Sequence, residues 1–127
     1  MKKQIKFLAV LSTAVLTAAL SFPAYAKNAG WAQENGNWYY YDSYGEPLTD
    51  TWKKSGDDWY YLDSDGAMLT GWQQIGGIWY FFRENGSMAT GWVEDKPGEW
   101  YYMNSDGSMA VNTVVDGYTL GADGMME

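Results

Sequence analysis

The sequence predicts an all-β protein, a solenoid of tandem β-hairpins preceded by a helical signal peptide. Three observations predict this fold class: an aromatic motif that returns about every twenty residues, tight-turn dipeptides inside each copy, and an apolar N-terminal leader. Periods of about 20–50 residues are typical of solenoids and repeat arrays, because each repeat leaves a face that only a neighbouring repeat can cover.

The leader is assigned to residues 1–26. Three lysines within the first six residues supply a positive start, residues 7–20 form an apolar run, and Ala24 and Ala26 fit the small-x-small cleavage rule. Since a membrane-spanning helix needs about 20 apolar residues, the run is short for an anchor. We therefore expect cleavage after Ala26, secretion, and a mature chain of residues 27–127 without a transmembrane segment.

The composition of the mature chain restricts its possible partners. It keeps five basic and sixteen acidic residues, a net charge of −11. Such a surface repels nucleic acid and anionic lipid and favours cationic ligands. The chain contains no Cys and no His, so it forms no disulfide and lacks the commonest general base and metal ligand. We expect no cofactor.

The repeated unit reads W-x-x-x-x-G-x-W-Y-Y-x-x-x-x-G-x-M-x-T-G. A degenerate fifth copy at residues 110–127 closes the chain. The first tryptophans of the four clear copies are Trp31, Trp52, Trp72 and Trp92, and the second ones are Trp38, Trp59, Trp79 and Trp100. Because Leu, Ile and Val are scarce in this region, we expect a core made of aromatic rings.

Turn residues fix the expected hairpins. Asn35-Gly36, Gly56-Asp57 and Gly76-Gly77 favour two-residue primed turns, and Lys96-Pro97-Gly98 favours a longer one. With Gly76-Gly77 at the tip, strand alternation places the two tryptophans of that hairpin and Phe81 on one face. The tyrosines expected on the opposite faces, where they would serve packing, are Tyr39, Tyr60, Tyr80 and Tyr101.

Two tryptophans per repeat exceed what packing requires, because each indole N–H needs a partner. Three ring faces can instead enclose a quaternary ammonium, which has no N–H to satisfy. Met68, Met88 and Met109 follow the loop glycines and are soft enough to line such a pocket. The pattern therefore indicates aromatic cages for a cation.

The units GWQQIGGIWYFFRENGSMATGW and WKKSGDDWYYLDSDGAMLTGW resemble the choline-binding, or cell-wall-binding, repeats of Gram-positive surface proteins. The resemblance covers about residues 31–124. It implies a β-hairpin solenoid that binds choline on teichoic or lipoteichoic acid at the cell wall. It also implies that each site takes two aromatics from one hairpin and one from the next.

Carried over to this chain, the resemblance implies three cages and a weaker fourth. The three are Trp31 and Trp38 with Tyr61, Trp52 and Trp59 with Phe81, and Trp72 and Trp79 with Tyr102. The fourth pair is Trp92 and Trp100. There, Gly117 and Thr119 replace the ring residues expected in the last repeat, so we expect a defective cage and a last repeat that mainly caps the solenoid.

Other readings remain open. Trp and Tyr faces also stack on sugars, so a glucan-binding repeat domain is an alternative, as is a structural adaptor without a small ligand. We expect no enzyme, because most carboxylates lie in turns, where Asp is a local turn-former. The loops DSDG and NSDG resemble the start of a calcium loop but lack its later ligands. The oligomeric state stays undetermined.

Overall fold

A computed structural model describes residues 28–127. The predicted signal peptide at residues 1–26 lies outside them and remains a prediction. The described residues divide into two compact units, the first ending at Leu48 and the second spanning Thr49–Glu127. No helix in the described part of the chain is long and apolar enough to cross a membrane.

The all-β prediction of tandem hairpins is confirmed. Residues 28–127 form five antiparallel hairpins, each a separate two-stranded sheet. The first unit holds the first hairpin, β1 (Gly30–Glu34) and β2 (Asn37–Tyr41). The second unit holds β3 (Thr51–Ser55) and β4 (Asp58–Leu62), β5 (Gly71–Ile75) and β6 (Ile78–Phe82), β7 (Gly91–Glu94) and β8 (Trp100–Met103), and β9 (Thr113–Val115) and β10 (Tyr118–Leu120).

The turns have the predicted chemistry. Gly76 and Gly77 have φ angles of 61° and 83°, as a type I′ turn requires, and the resulting register places Trp72 opposite Phe81. The degenerate last copy also closes a hairpin, because Asp116 and Gly117 have φ angles of 52° and 84°. The last repeat is therefore a folded hairpin of shortened strands.

The largest fully buried side chains of the second unit, one from each hairpin, are here called its spine. Each spine residue ends the second strand of its hairpin and is at most 1% exposed: Leu62, Phe82, Met103 and Leu120. Only one of the four is aromatic, so the expectation of a core made of rings is wrong at its centre. The aromatic rings flank this spine, where they stay partly accessible.

Backbone hydrogen bonds join consecutive hairpins of the second unit. The Met88 N–H donates to the Trp59 carbonyl over 2.7 Å, and the Met109 N–H donates to the Trp79 carbonyl over 2.9 Å. The last hairpin repeats the bond, with the Met126 N–H donating to the Trp100 carbonyl over 2.8 Å. Each of these three methionines is thus attached to the second tryptophan of the preceding hairpin.

Candidate ligand-binding site

The hairpins of the second unit stack front to back. The front of a hairpin is here the face that carries its two tryptophans. The Trp52 ring meets Tyr80, from the back of the next hairpin, with ring centroids 4.9 Å apart and planes at 69°. Trp72 meets Tyr101 in the same way, at 4.8 Å and 70°. A tryptophan pair therefore faces the back of the following hairpin.

The Trp52 cavity opens at the first of these joints. Its aromatic walls are Trp52 of β3, Trp59 of β4 and Tyr80 of β6, and its volume is about 430 Å³. Met88, from the loop after β6, and Asp106, from the loop after β8, complete the lining together with Ser105. Since the Trp59 side chain is 40% exposed, its ring is open to a ligand from solvent.

The Trp72 cavity repeats this arrangement one hairpin further along, with a volume of about 390 Å³. Its walls are Trp72 of β5, Trp79 of β6, Tyr101 of β8 and Met109. The acidic residues Asp95 and Asp123 line it as well, with Ala122. The Trp79 side chain is 40% exposed, as is its counterpart in the Trp52 cavity.

The Trp92 cavity contains the pair expected to form a weaker fourth cage, together with a ring from the last repeat that was not expected there. Trp92 and Trp100 are joined by Tyr118 and Met126 around about 220 Å³. The Trp92 and Tyr118 ring centroids lie 5.8 Å apart, at an interplanar angle of 86°. The Trp92 Nε1–H also donates to Asp116 Oδ2 over 2.8 Å. Two tryptophans, a tyrosine and a methionine are therefore present, in a smaller volume.

The third ring of each cavity differs from the one expected. The structure does not bring Phe81 to the Trp52 pair or Tyr102 to the Trp72 pair. Instead, each ring lies against the first tryptophan of its own hairpin, with Phe81 5.0 Å from Trp72 and Tyr102 5.1 Å from Trp92. Tyr61 does the same, 5.1 Å from Trp52.

The physical reason is the direction of stacking. A front ring points to the same side as its own tryptophan pair, so it cannot reach the pair of the preceding hairpin. Only a back ring can, and Tyr80 and Tyr101 are back rings. These two tyrosines, expected to serve packing, therefore also line the two larger cavities. The last repeat carried the signal, because it keeps Tyr118 at the back-ring position and has Thr119 at the front-ring position.

Two of the three methionines named from the sequence, Met88 and Met109, line the Trp52 and Trp72 cavities. The third, Met68, lies so close to Gly86 that a Cβ at this glycine would overlap its side chain. In the first unit, Trp31 contacts Tyr40 at 5.2 Å, and Trp38 is 39% exposed. The cage predicted from this tryptophan pair stays a prediction.

Carboxylates set the electrostatics of the cavities. Hydrogen bonds from the Ser108 hydroxyl and backbone N–H lower the pKa of Asp106 below its ordinary 3.8, so its charge persists in mild acid. Burial raises the pKa of Tyr101, and the negative charges of Glu99, Asp95 and Asp123 raise it further. These charges favour a cation near the ring. No group of three acidic residues in the described chain is arranged to hold a metal ion.

Comparisons with known proteins concern the fold and the repeat family of the chain. The model of the choline-binding repeat family matches residues 29–70 and 69–113. Choline-binding protein F of Streptococcus pneumoniae is 44% identical, with a TM-score of 0.72 over 79% of this chain and 33% of that chain. It has also been solved in complex with ipratropium. CbpJ of the same organism is 46% identical, with a TM-score of 0.72 over 79% of this chain and 34% of its own.

A pneumococcal cell wall endolysin from phage Cp-1, solved with choline, is 42% identical, with a TM-score of 0.55 over 77% of this chain and 30% of that chain. The chain thus spans about a third of the length of these solved proteins. No curated protein matches it.

Proposed function

Because the chain belongs to the choline-binding repeat family, we propose that it is a secreted, non-catalytic module that attaches to the cell wall by binding choline. Its ligands would be the choline groups of teichoic or lipoteichoic acid on a Gram-positive envelope. The Trp52, Trp72 and Trp92 cavities would each hold one trimethylammonium group.

The observation that carries this proposal is the threefold recurrence of one set of groups. Two tryptophans, a tyrosine and a methionine surround each cavity. A trimethylammonium group has no N–H to satisfy, so ring faces and a thioether can surround it without an unpaired donor. Each cation–π contact contributes about 0.5–2 kcal/mol, depending on how well the cation is desolvated.

The geometry and charge favour choline over a glucan. In both larger cavities the tyrosine stands at 69–70° to the first tryptophan, which makes a corner rather than a flat platform for a sugar ring. Asp106 lines one cavity, and Asp95 and Asp123 line the other, so both attract a cation. Relatives bind this class of ligand, since ipratropium, found with choline-binding protein F, is a quaternary ammonium compound.

Attachment to a polymer would depend on several cavities acting together. A single open cavity binds weakly, because the cation keeps part of its hydration. Cavities that engage neighbouring choline groups of one polymer raise the overall avidity without any new contact. Wall binding should therefore be much tighter than the binding of free choline.

Tryptophan fluorescence and thermal unfolding of the purified chain test the proposal, with choline and, in parallel, maltose and dextran as ligands. We expect choline to quench fluorescence saturably and to raise the melting temperature, because it binds only the folded state. Trp72→Ala should weaken choline binding and also loosen the stack. A response to glucan without one to choline would establish the carbohydrate alternative, and no response to either would leave a structural adaptor.

A further inference from the structure

We propose that the Trp52 and Trp72 cavities each take a carboxylate from the hairpin repeat two positions further along, Asp106 and Asp123 respectively, and that this carboxylate selects a cation over a neutral ligand. A complete cavity is then built from three consecutive repeats. The inference rests on the proposed function, because it concerns which ligands the same cavities accept.

The order of the lining residues along the chain supports the three-repeat site. In the Trp52 cavity, the tryptophans come from β3 and β4, and Tyr80 and Met88 come from the hairpin of β5 and β6 and its following loop. Asp106 lies after β8, in the loop that follows the next hairpin again. The Trp72 cavity repeats this order and ends at Asp123, after β10.

A close glycine contact brings the distant loop to the cavity. Asp106 precedes Gly107, and a Cβ at Gly107 would overlap the side chain of Met88. Asp123 precedes Gly124, where a Cβ would overlap Met109 in the same way. Both methionines line the cavities in question, so the contact that seats each loop also places its carboxylate at the cavity.

The turn holds the carboxylate of Asp106 in place without neutralising it. Its Oδ1 accepts hydrogen bonds from the Ser108 N–H over 2.9 Å and from the Ser108 Oγ over 2.6 Å. Asp123 Oδ1 accepts one from the Met125 N–H over 3.0 Å. All three donors are neutral groups, so these hydrogen bonds position each carboxylate without compensating its charge.

A fixed charge at the cavity acts on cations and not on neutral molecules of the same shape. Choline and its neutral carbon isostere, 3,3-dimethylbutan-1-ol, fill the same volume and differ by one charge. The Trp52 and Trp72 cavities should therefore prefer choline over the isostere.

Asp106→Asn tests the charge without breaking the turn. The chain itself supplies the precedent, since Asn85 occupies the same loop position and its Oδ1 accepts from the Ser87 N–H over 2.9 Å and the Ser87 Oγ over 2.8 Å. Incorporating 5-fluorotryptophan gives each of the eight tryptophans its own fluorine NMR signal, so each cavity is titrated separately in one sample. The full-length chain is used throughout.

We expect Asp106→Asn to weaken choline binding about three- to fivefold at Trp52 and Trp59, as for partly exposed charge pairs, and to leave the isostere unchanged there. The Trp72 and Trp79 signals should titrate as in the wild-type chain. Asp123→Asn should instead weaken choline binding at Trp72 and Trp79 and leave the Trp52 and Trp59 signals unchanged. Asp65→Asn is the matched control, because Asp65 has the same loop position and lines none of the three cavities.

Two results would overturn the inference: an unchanged choline affinity at Trp52 and Trp59 in Asp106→Asn, or equal losses for choline and the isostere, which would indicate a structural role. Both are distinct from a failure of the proposed function. In that case the wild-type chain itself would show no choline titration at any tryptophan.

Discussion

Replacing Tyr80 by leucine tests which ring closes the Trp52 cavity. The structure places Tyr80 there, whereas the family resemblance implies Phe81. Leucine keeps an apolar side chain but removes one of the three ring faces. The loss of one cation–π contact, about 0.5–2 kcal/mol, corresponds to choline binding about 2- to 30-fold weaker at Trp52 and Trp59. The variant also loses the edge contact with Trp52 at 4.9 Å, which costs about 0.5–1.5 kcal/mol of stability.

Phe81→Leu is the matched control, because Phe81 makes a comparable edge contact at 5.0 Å with Trp72 of its own hairpin. It should lower the melting temperature about as much as Tyr80→Leu does, without weakening choline binding at Trp52 and Trp59. Site-resolved fluorine NMR titrations and thermal unfolding, run on both variants, provide the two readouts. Weaker binding at the Trp52 cavity in Phe81→Leu and unchanged binding in Tyr80→Leu would refute the assignment.

Two further predictions concern the loops. Gly107→Ala should lower the free energy of unfolding by about 1–3 kcal/mol more than Gly98→Ala does, as measured by thermal unfolding. Both glycines have φ near +85° (87° and 83°), but only a Cβ at Gly107 would overlap a methionine. Equal losses of stability would contradict the close contact between this loop and Met88. Because the pKa of Asp106 is lowered below 3.8, its carboxylate should support choline binding at the Trp52 cavity from neutral pH down to about pH 4. Choline affinity should fall only as the pH falls through the lowered pKa. Tyr80 is the other titratable group that lines this cavity. Ser108→Ala should move that loss to higher pH in a titration series, and an unmoved profile would contradict the hydrogen-bond origin of the shift.

Local features of the fold could be predicted from the sequence. The register around Gly76-Gly77 follows from turn chemistry and strand alternation, which act within about ten residues. The fifth hairpin was less evident, since its strands have three residues each and its tryptophans are missing. Its Asp116-Gly117 turn was nevertheless a sufficient local signal.

The partners across each joint could not be predicted from one hairpin. Alternation shows that Tyr80 and Phe81 point to opposite sides, but not which side meets the preceding repeat. That choice depends on stacking, which buries spine residues such as Leu62 and Phe82. The family resemblance implies the front ring as the partner, whereas the stacking direction makes the back ring the partner.

The loop carboxylates were overlooked for a related reason. Asp106 was interpreted as a turn-former, and its hydrogen bonds to Ser108 confirm that role. It also lines the Trp52 cavity, because its loop lies against a hairpin two repeats earlier. Trp59 and Asp106 are more than forty residues apart in the sequence, so local patterns do not show this contact. The recurrence of Asp before a loop glycine, at Asp65, Asp106 and Asp123, was the available signal.

The most direct test of the central claim is to measure intermolecular nuclear Overhauser effects between the N-methyl protons of choline and the aromatic protons of the bound chain. The account predicts contacts to Tyr80 together with Trp52 and Trp59, and to Tyr101 with its own tryptophan pair. Contacts to Phe81 and Tyr102 in place of these tyrosines, or no contact to any ring, would contradict it.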